Sequence, residues 1–410
     1  MAVNEANKPQ FFYGWVIVSA CFLLSASLFA LYIYAPFFKE IQAEFGWTRA
    51  MTSSVVSVTT FMYCLAGLIV GQLVDKCGAR PIIVACAVLL GAGLALSSQV
   101  HSIQGLYLSF GIMVGLGLGA SFTIPVATVQ RWFVQKRGLA LGIQTAGVGI
   151  GVLILTPFSA YLIATYGWRQ ALIIIGIIGF AIMLIAAIFI VRSPEEKGLE
   201  PYGATEAQAS TLSASPKGGW TAKEALRTKA FLRLWVISFL TSIPLLIVMV
   251  HIVPHAEDMG ISKVIAAGAL GLVGGFSIVG RLVGGTAADR MGFKQAAGLA
   301  RVLCAIMMLF LVGVRSAWMI YLFAGLYGIG YGAVISATPG LVGHFFGTKS
   351  LPMLIAIMAT GFGTAGLISP ILGGYIFDKM HSYIVVFIIG AVLFAVAAVL
   401  VFTIKPPQRK

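Results

Sequence analysis

Twelve long, mainly apolar stretches recur along the chain, and each is long enough to cross a lipid bilayer. A helix rises about 1.5 Å per residue, so about 20 apolar residues span a hydrocarbon core about 30 Å thick. Hydrophobic residues make up 59% of the 410 residues and charged residues only 10%, which excludes an ordinary soluble domain. The sequence therefore predicts an all-α membrane protein with twelve transmembrane helices. These cover residues 12–38, 50–74, 80–100, 105–131, 138–165, 169–191, 231–254, 262–286, 295–314, 317–344, 351–376 and 381–404.

The net charge of +14 follows from how the basic residues are placed along this pattern. With the N-terminus in the cytoplasm, most of the 27 lysine and arginine residues fall on the inner side of the predicted helices. This asymmetry is the positive-inside rule, and it predicts a multi-pass protein of the cytoplasmic (inner) membrane with both termini in the cytoplasm. The basic charge is then explained by topology in the lipid bilayer, and nucleic acid is not an expected partner.

Two motifs occur twice, at nearly the same offset. Residues 71–80 (GQLVDKCGAR) and 285–294 (GTAADRMGFK) share the pattern G-x-x-x-D-[K/R]-x-G-x-[K/R]. Residues 115–120 (GLGLGA) likewise match residues 328–333 (GIGYGA). Repetition on this scale predicts two pseudo-symmetric six-helix halves, at residues 1–192 and 231–410. The short glycine-rich motifs would let helices approach closely and slide.

The linker predicted at residues 193–230 contains two kinds of sequence. Its middle, residues 203–219, is rich in Ala, Ser and Thr and is typical of a flexible tether. After it, Thr221 and Glu224 have the spacing of a capping box, which predicts a short amphipathic helix on the inner surface.

One arginine lies deep inside a predicted helix. Arg281 stands eight residues before Asp289, which places it about 12 Å into the membrane. All 13 acidic residues fall in loops, termini or helix ends, so no acid is expected to pair with it. A guanidinium presents a planar pair of donors that matches a carboxylate. Arg281 is therefore predicted to face a polar cavity and to bind an anion with one carboxylate, with an arginine that snorkels or pairs structurally as the alternative. Arg301, near the start of the ninth helix, is expected to reach the inner interface instead.

The repeated loop resembles the signature of the major facilitator superfamily, and the resemblance covers the whole chain. It implies two repeated halves with a substrate site near the middle of the membrane. Residues 131–142 (RWFVQKRGLALG), the opening Tyr13-Gly14-Trp15, and residues 251–262 (HIVPHAEDMGIS) followed by Gly280-Arg281-Leu282 are similar to segments of monocarboxylate transporters and oxalate/formate exchangers. The resemblance assigns gating roles to the repeated loop residues Gly71, Asp75, Arg80, Gly285, Asp289 and Arg290.

This resemblance implies a secondary active transporter working by alternating access. Oxalate exchangers carry a second cation in the eleventh helix, where residues 355–366 (IAIMATGFGTAG) have none. That difference favours proton symport of a small monocarboxylate such as lactate or pyruvate, with an oxalate/formate type of exchanger as the alternative. Animal monocarboxylate transporters have a lysine where this chain has Tyr32 and an aspartate where it has Ser277, so their proton relay does not carry over.

His251 is the remaining titratable candidate for proton coupling, with a merely hydrogen-bonded interfacial histidine as the alternative. The residues expected to contact the rest of the substrate, each aromatic one having core packing as its alternative, are Tyr331, Tyr327, Ser121, Phe122, Phe362 and Tyr32. The chain shows neither a metal-ligand cluster nor nucleophile–base spacing, so no enzyme activity, metal or cofactor is expected. The expected partners are a small carboxylate anion, a proton and the lipid bilayer, with the carrier a monomer.

Overall fold

A computed structural model of the chain describes residues 12–203, 220–347 and 350–407, except for the side chains of Asp75, Arg137, Asp289, Leu351 and Pro352. Over these residues, eleven helices are long and apolar enough to cross a membrane. One of them is divided by Gly167, whose φ of 79° and ψ of 160° leave helical geometry. The predicted all-α fold with twelve membrane helices is therefore confirmed.

We number the spans in chain order, and Gly167 separates the fifth from the sixth. Their bounds are Gly14–Phe45, Arg49–Cys77, Ala79–Ser97, Ile103–Trp132, Arg137–Phe189 (fifth and sixth together), Lys229–Asp258, Lys263–Met291, Phe293–Val312, Ala317–Phe346, Leu351–Met380 and Ile384–Thr403. Alternating directions give the bundle two ends. The far face is formed by the turns at residues 46–48, 98–102, 259–262, 313–316 and 381–383. The linker face carries the segments 190–203 and 220–228 and the turn at residues 133–136.

Within each half, the repeated glycine motif brings two helices together. A Cβ atom at Gly119, on the fourth span, would lie 2.6 Å from Ala66 on the second span. A Cβ atom at Gly332, on the tenth span, would collide with the backbone carbonyl of Ser277 on the eighth span. Since nothing larger than hydrogen fits at either place, the two halves use the same packing at matching positions. The sequence repeat is thus a structural repeat.

The two halves contact each other through the second, fifth, eighth and eleventh spans. A Cβ at Gly149 would meet Gly274, and one at Gly366 would meet Thr60, so glycines again line the contact. Near the linker face, by contrast, a Cβ at Gly71, Gly138, Gly142 or Gly285 on the same spans would meet nothing within 4 Å. The glycine contacts between the halves therefore lie toward the far face.

Both described ends of the linker are bound to a half. The backbone of Tyr202 pairs with the loop after the fourth span through a bridge to Phe133. The backbone N–H of Trp220 donates to the carbonyl of Phe346, 2.9 Å away at the end of the tenth span. The helix Ala222–Leu226 forms with both reciprocal hydrogen bonds of the capping box between Thr221 and Glu224. Residues 204–219 of the predicted tether lie outside the described part of the chain.

The position of Arg301 differs from the prediction that it reaches the inner interface. It is 1% exposed and lies inside the second half, so it does not reach toward the interface. Its Nε donates to the hydroxyl of Thr241 at 2.9 Å, and its Nη2 to the hydroxyl of Thr338 at 3.2 Å. Its Nη1 donates to the carbonyl of Ala297 at 2.8 Å. Acceptors on the seventh and tenth spans thus satisfy the guanidinium in place, which a single helix could not reveal.

The glycine contact between the eighth and tenth spans predicts a large effect from one added methyl group. We expect Gly332→Ala to lower the free energy of unfolding by about 1–3 kcal/mol, because overpacking against a backbone carbonyl has no flexible side chain to absorb it. Thermal unfolding of the purified protein in detergent measures this.

Gly142 provides the matched control, since a Cβ there would meet nothing within 4 Å. Gly142→Ala should leave stability unchanged or raise it by up to about 1 kcal/mol through helix propensity. Equal melting temperatures for the two variants would contradict the packing described here.

Candidate functional site

Arg281 lies on the eighth span and bridges the two halves. Its Nη1 donates to the backbone carbonyl of Thr145 on the fifth span. Its Nε is buried and has no hydrogen-bond partner. None of the ion pairs found among the described side chains includes Arg281. The guanidinium is therefore held by a neutral acceptor and keeps a donor free.

A small cavity of about 10 Å³ lies beside Arg281, with room for about one water molecule. Five spans contribute to its wall, and the residues that line it are Tyr32, Val148, Gly149, Val152, Met249, Gly274, Ser277, Arg281 and Tyr331. The phenol of Tyr32 is within interaction range of both Tyr331 and Arg281. The wall of the cavity thus combines a cation and two phenols with aliphatic groups.

Such an arrangement suits a small amphipathic anion. A carboxylate accepts two hydrogen bonds from a guanidinium in one plane, and phenol hydroxyls donate to or accept from neighbouring polar groups. The aliphatic wall from Val148, Val152 and Met249 favours a short carbon chain. At about 10 Å³ the cavity as it stands is too small for a three-carbon acid, so binding requires its walls to move apart.

The structure brings only some of the predicted contact residues to this cavity. Arg281, Tyr331 and Tyr32 lie together there. Tyr327, one turn from Tyr331, is fully buried in the second half, with its ring stacked on Phe323 at 5.1 Å and its hydroxyl unpartnered. Tyr327 lies one helical turn away from Tyr331, and its side chain packs inside its own half.

The other three predicted contacts are also absent from the cavity wall. Ser121 shares a 2.6 Å hydrogen bond with Ser27, inside the first half. Phe122 is 39% exposed on the fourth span. Phe362 is half-buried on the eleventh span, between glycines that approach Trp235 and Cys64. These residues stay predictions, because the present arrangement of the halves neither joins them to Arg281 nor prevents a different arrangement from doing so.

His251 lies on the seventh span and is fully buried near the far face. Its Nε2 is 2.9 Å from the carbonyl oxygen of Pro370, and its Nδ1 is 3.1 Å from the hydroxyl of Tyr383. Because a carbonyl only accepts, Nε2 carries the proton and donates it. His251 is therefore part of a polar chain and does not line the cavity of Arg281.

Arg49 connects that polar chain to the opposite half, and the sequence reasoning missed it. Its Nη1 donates to the hydroxyl of Tyr383 at 2.7 Å, and its Nη2 to Asp258 at 2.8 Å. Asp258 also pairs with Lys39 at 2.6 Å. We call Lys39, Arg49, Asp258, Asp378 and Tyr383 the far-face clamp.

Asp378 completes the far-face clamp by capping a helix of the other half. Its two carboxylate oxygens accept from the backbone N–H groups of Arg49 and Ala50, at 2.8 and 2.9 Å. An acid at a helix N-terminus is favoured by the orphan donors and by the helix dipole. Lys263 and Glu40 add another ion pair between the halves. A sequence signal did exist, since these charges cluster at the predicted outer ends of the helices.

The repeated loops lie at the linker face. Gly71 is exposed, and a Cβ at Gly285 would meet nothing within 4 Å, so both motif openings are free of close packing here. The Nε of Arg80 donates to the carbonyl of Ile190 at 3.1 Å, which ties the third span to the sixth. Arg290 is exposed in the last turn of the eighth span. The side chains of Asp75 and Asp289 lie outside the described part of the chain, so their predicted gating role stays a prediction.

Comparison with known families and structures agrees with this architecture. The family model of the Major Facilitator Superfamily matches residues 20–316 and 278–410. The chain belongs to the major facilitator superfamily. This is a family of membrane transporters, not of enzymes. The match covers both six-helix halves, as the repeated loops and the repeated glycine packing require.

Within this superfamily, the chain is similar to monocarboxylate transporters. It is 28% identical to monocarboxylate transporter 13 of Rattus norvegicus, over 97% of this chain and 91% of that protein. It is 26% identical to monocarboxylate transporter 4 of Rattus norvegicus, over 94% of this chain and 81% of that protein. The fold also matches a bacterial homologue of the lysosomal transporter Spinster in its inward-facing, occupied conformation, with a TM-score of 0.74, 13% identity and 97% of each chain covered.

The unpartnered hydroxyl of Tyr327 generates a stability prediction. We expect Tyr327→Phe to raise the free energy of unfolding by about 1 kcal/mol, because a buried hydroxyl without a partner is a net cost. Thermal unfolding in detergent measures it.

The comparison variant is Tyr383→Phe, which removes a hydroxyl that bonds to both Arg49 and His251. It should lower stability by about 1–3 kcal/mol. A destabilised Tyr327→Phe would show that this hydroxyl has a partner and would favour a polar role for it.

Proposed function

We propose that this protein is a secondary active transporter of small monocarboxylates such as lactate or pyruvate. The observation that carries the proposal is the buried guanidinium of Arg281, which has a free Nε and a neutral acceptor in a cavity between the halves. A membrane-embedded cation without an acidic partner is suited to an anionic substrate. The similarity to monocarboxylate transporters supports the same substrate class.

In this proposal, each cavity residue has a distinct role. Arg281 pairs with the carboxylate, and Tyr32 and Tyr331 contact the polar group next to it. Tyr327, Ser121, Phe122 and Phe362 are further candidates, for an arrangement of the halves in which the cavity is wider. A single cation limits the site to one carboxylate, which favours monocarboxylates over oxalate.

Alternating access is supported by the unequal ends of the bundle. The far-face clamp joins the halves at one end, while the glycines of the facing spans near the other end (Gly71, Gly138, Gly142 and Gly285) have no neighbour within 4 Å of a Cβ. If the linker face is cytoplasmic, as the basic residues predict, this is an inward-facing arrangement in the cytoplasmic (inner) membrane. Pairing with the carboxylate would neutralise Arg281 and let the loaded carrier rock to the opposite state.

Substitution of Arg281 tests the substrate class. In proteoliposomes, Arg281→Gln and Arg281→Lys should reduce the initial rate of labelled lactate uptake by about 100-fold, because each removes the planar pair of donors. The control is Arg233→Gln, which changes an exposed arginine at the linker end of the seventh span and should transport like the parent.

A parental uptake rate in both Arg281 variants would overturn the proposed site. Thermal-shift measurements with short mono- and dicarboxylates separate the two substrate classes, since a ligand that binds only the folded protein stabilises it. Stabilisation by oxalate and formate, together with counterflow that needs no proton gradient, would instead support the exchanger.

Proton coupling by His251 gives a second prediction. An inwardly directed proton gradient should accelerate lactate uptake by the parent, and His251→Gln should lose most of that acceleration, because an amide does not titrate in this range. The measurement is initial uptake at several external pH values with the internal pH held constant. An unchanged pH profile in His251→Gln would remove His251 as the proton-coupling residue.

A further inference from the structure

A continuous chain of hydrogen bonds runs from the eleventh span to the opposite half through His251. It passes from the carbonyl of Pro370 to His251, then to the hydroxyl of Tyr383, and then to Arg49 on the second span. All three side chains are buried, with 6% exposure or less. Four spans, the second, seventh, eleventh and twelfth, therefore contact one another through these groups.

The hydrogen bonds at the two ends of this chain each have a fixed direction. The guanidinium of Arg49 only donates, so the oxygen of Tyr383 accepts from it at 2.7 Å. The carbonyl of Pro370 only accepts, so His251 donates to it from Nε2. When the imidazole is neutral, Nδ1 carries no proton, and the hydroxyl of Tyr383 donates to it, so that every group in the chain has a partner. The closed chain is thus matched to an uncharged His251.

Arg49 is also the centre of the contacts that hold the halves together at the far face. It forms a two-point ion pair with Asp258, and its guanidinium lies 3.6 Å from the ring centroid of Phe377. Asp378 binds the backbone N–H group of the same residue. A change at Tyr383 therefore acts directly on Arg49, the central residue of the far-face clamp.

Protonation of His251 would reverse one bond of the chain. Nδ1 would become a donor, and the oxygen of Tyr383 would face donors on both sides while its own proton lost its acceptor. The imidazolium would also add a positive charge one hydroxyl away from Arg49. Both effects weaken the bond between Tyr383 and Arg49, and in a buried setting neither is relieved by water.

The other charged groups around His251 come from the first, second, seventh and eleventh spans. Arg49 on the second span and Asp378 on the eleventh are within electrostatic range of His251. Lys39 on the first span, and Glu257 and Asp258 on the seventh, belong to the ion pairs of the far face.

The remaining titratable neighbour is His255, one turn away on the seventh span. It packs edge-on against Tyr383 with ring centroids 5.6 Å apart, and its Nε2 has no hydrogen-bond partner. His255 therefore contacts the same ring without joining the hydrogen-bonded chain, which makes it a natural control.

We propose that Tyr383 is a positioning residue that couples the protonation of His251 to opening of the far-face clamp. The proposal rests on the proposed function in taking His251 as the proton-binding group. Protonation favours an open far face, and the far-face clamp re-forms only after His251 has released the proton. The protein thereby closes its far face with His251 neutral, which gives proton binding a direction relative to the movement of the halves.

The experiment measures the conformation directly and needs no transport. Spin labels are placed at Ala43 and Met380, exposed residues near the far face on opposite halves, after the five native cysteines are replaced. Double electron–electron resonance in lipid nanodiscs then gives the distance distribution at about pH 7.5 and about pH 5.5, which bracket an ordinary histidine. In the parent, the open-to-closed ratio should rise on acidification, by up to about 10-fold per pH unit for one linked proton.

Three variants separate the coupling from a general structural effect. His251→Gln keeps an amide donor for Pro370 and a carbonyl acceptor for Tyr383, so it should remain closed at both pH values. Tyr383→Phe keeps the ring that packs on Phe377 and Phe387, but it should be more open at neutral pH and change less than about 2-fold on acidification. His255→Gln should respond to pH like the parent.

The coupling would be overturned by a full pH response in Tyr383→Phe or by a full response in His251→Gln. Loss of the response in His255→Gln would assign it to that residue and would also contradict the proposal. Failure of the proposed transport would look different, because lactate uptake would then be absent while the parent still opened on acidification.

Discussion

A guanidinium inside a membrane must find hydrogen-bond acceptors, and three arginines of this protein meet that requirement in different ways. Arg301 uses two threonine hydroxyls and a carbonyl within one half. Arg49 uses a carboxylate and a phenol across the two halves. Among the described residues, Arg281 has a backbone carbonyl as its acceptor and leaves its Nε without a partner. These arrangements suit Arg301 to packing and Arg49 to closing one end, and they are the basis for proposing that Arg281 binds an anion.

These functions are compatible because packing within a half is separated from contact between halves. Large residues cannot enter the glycine faces that join the second to the fourth span and the eighth to the tenth. In the proposed alternating access, each half would move as a body, while the second and eleventh spans and the fifth and eighth spans would change their contacts. Arg281 and Thr145 lie on one of these contacts, so such a movement would alter the surroundings of the cation directly.

The sequence predicted those features that depend on a single helix or on the internal repeat. Apolar length defined the spans, the motifs at residues 71–80 and 285–294 defined the two halves, and the absence of nearby acids singled out Arg281. It could not predict which acceptors meet Arg301 or that Arg49 pairs with Asp258, 209 residues away, because both depend on how separate spans pack. Tyr327 and Tyr331 differ for the same reason, since both are buried but only Tyr331 lines the cavity beside Arg281.

The exposure of the far-face ion pairs has a kinetic consequence. Lys39 and Asp258 are 27% and 28% exposed, and such partly hydrated pairs contribute only about 0–1 kcal/mol each. These outer pairs can be broken one bond at a time, with water replacing each partner as it leaves. The larger barrier to opening the far face then lies in the buried bonds of Arg49 to Asp258 and Tyr383.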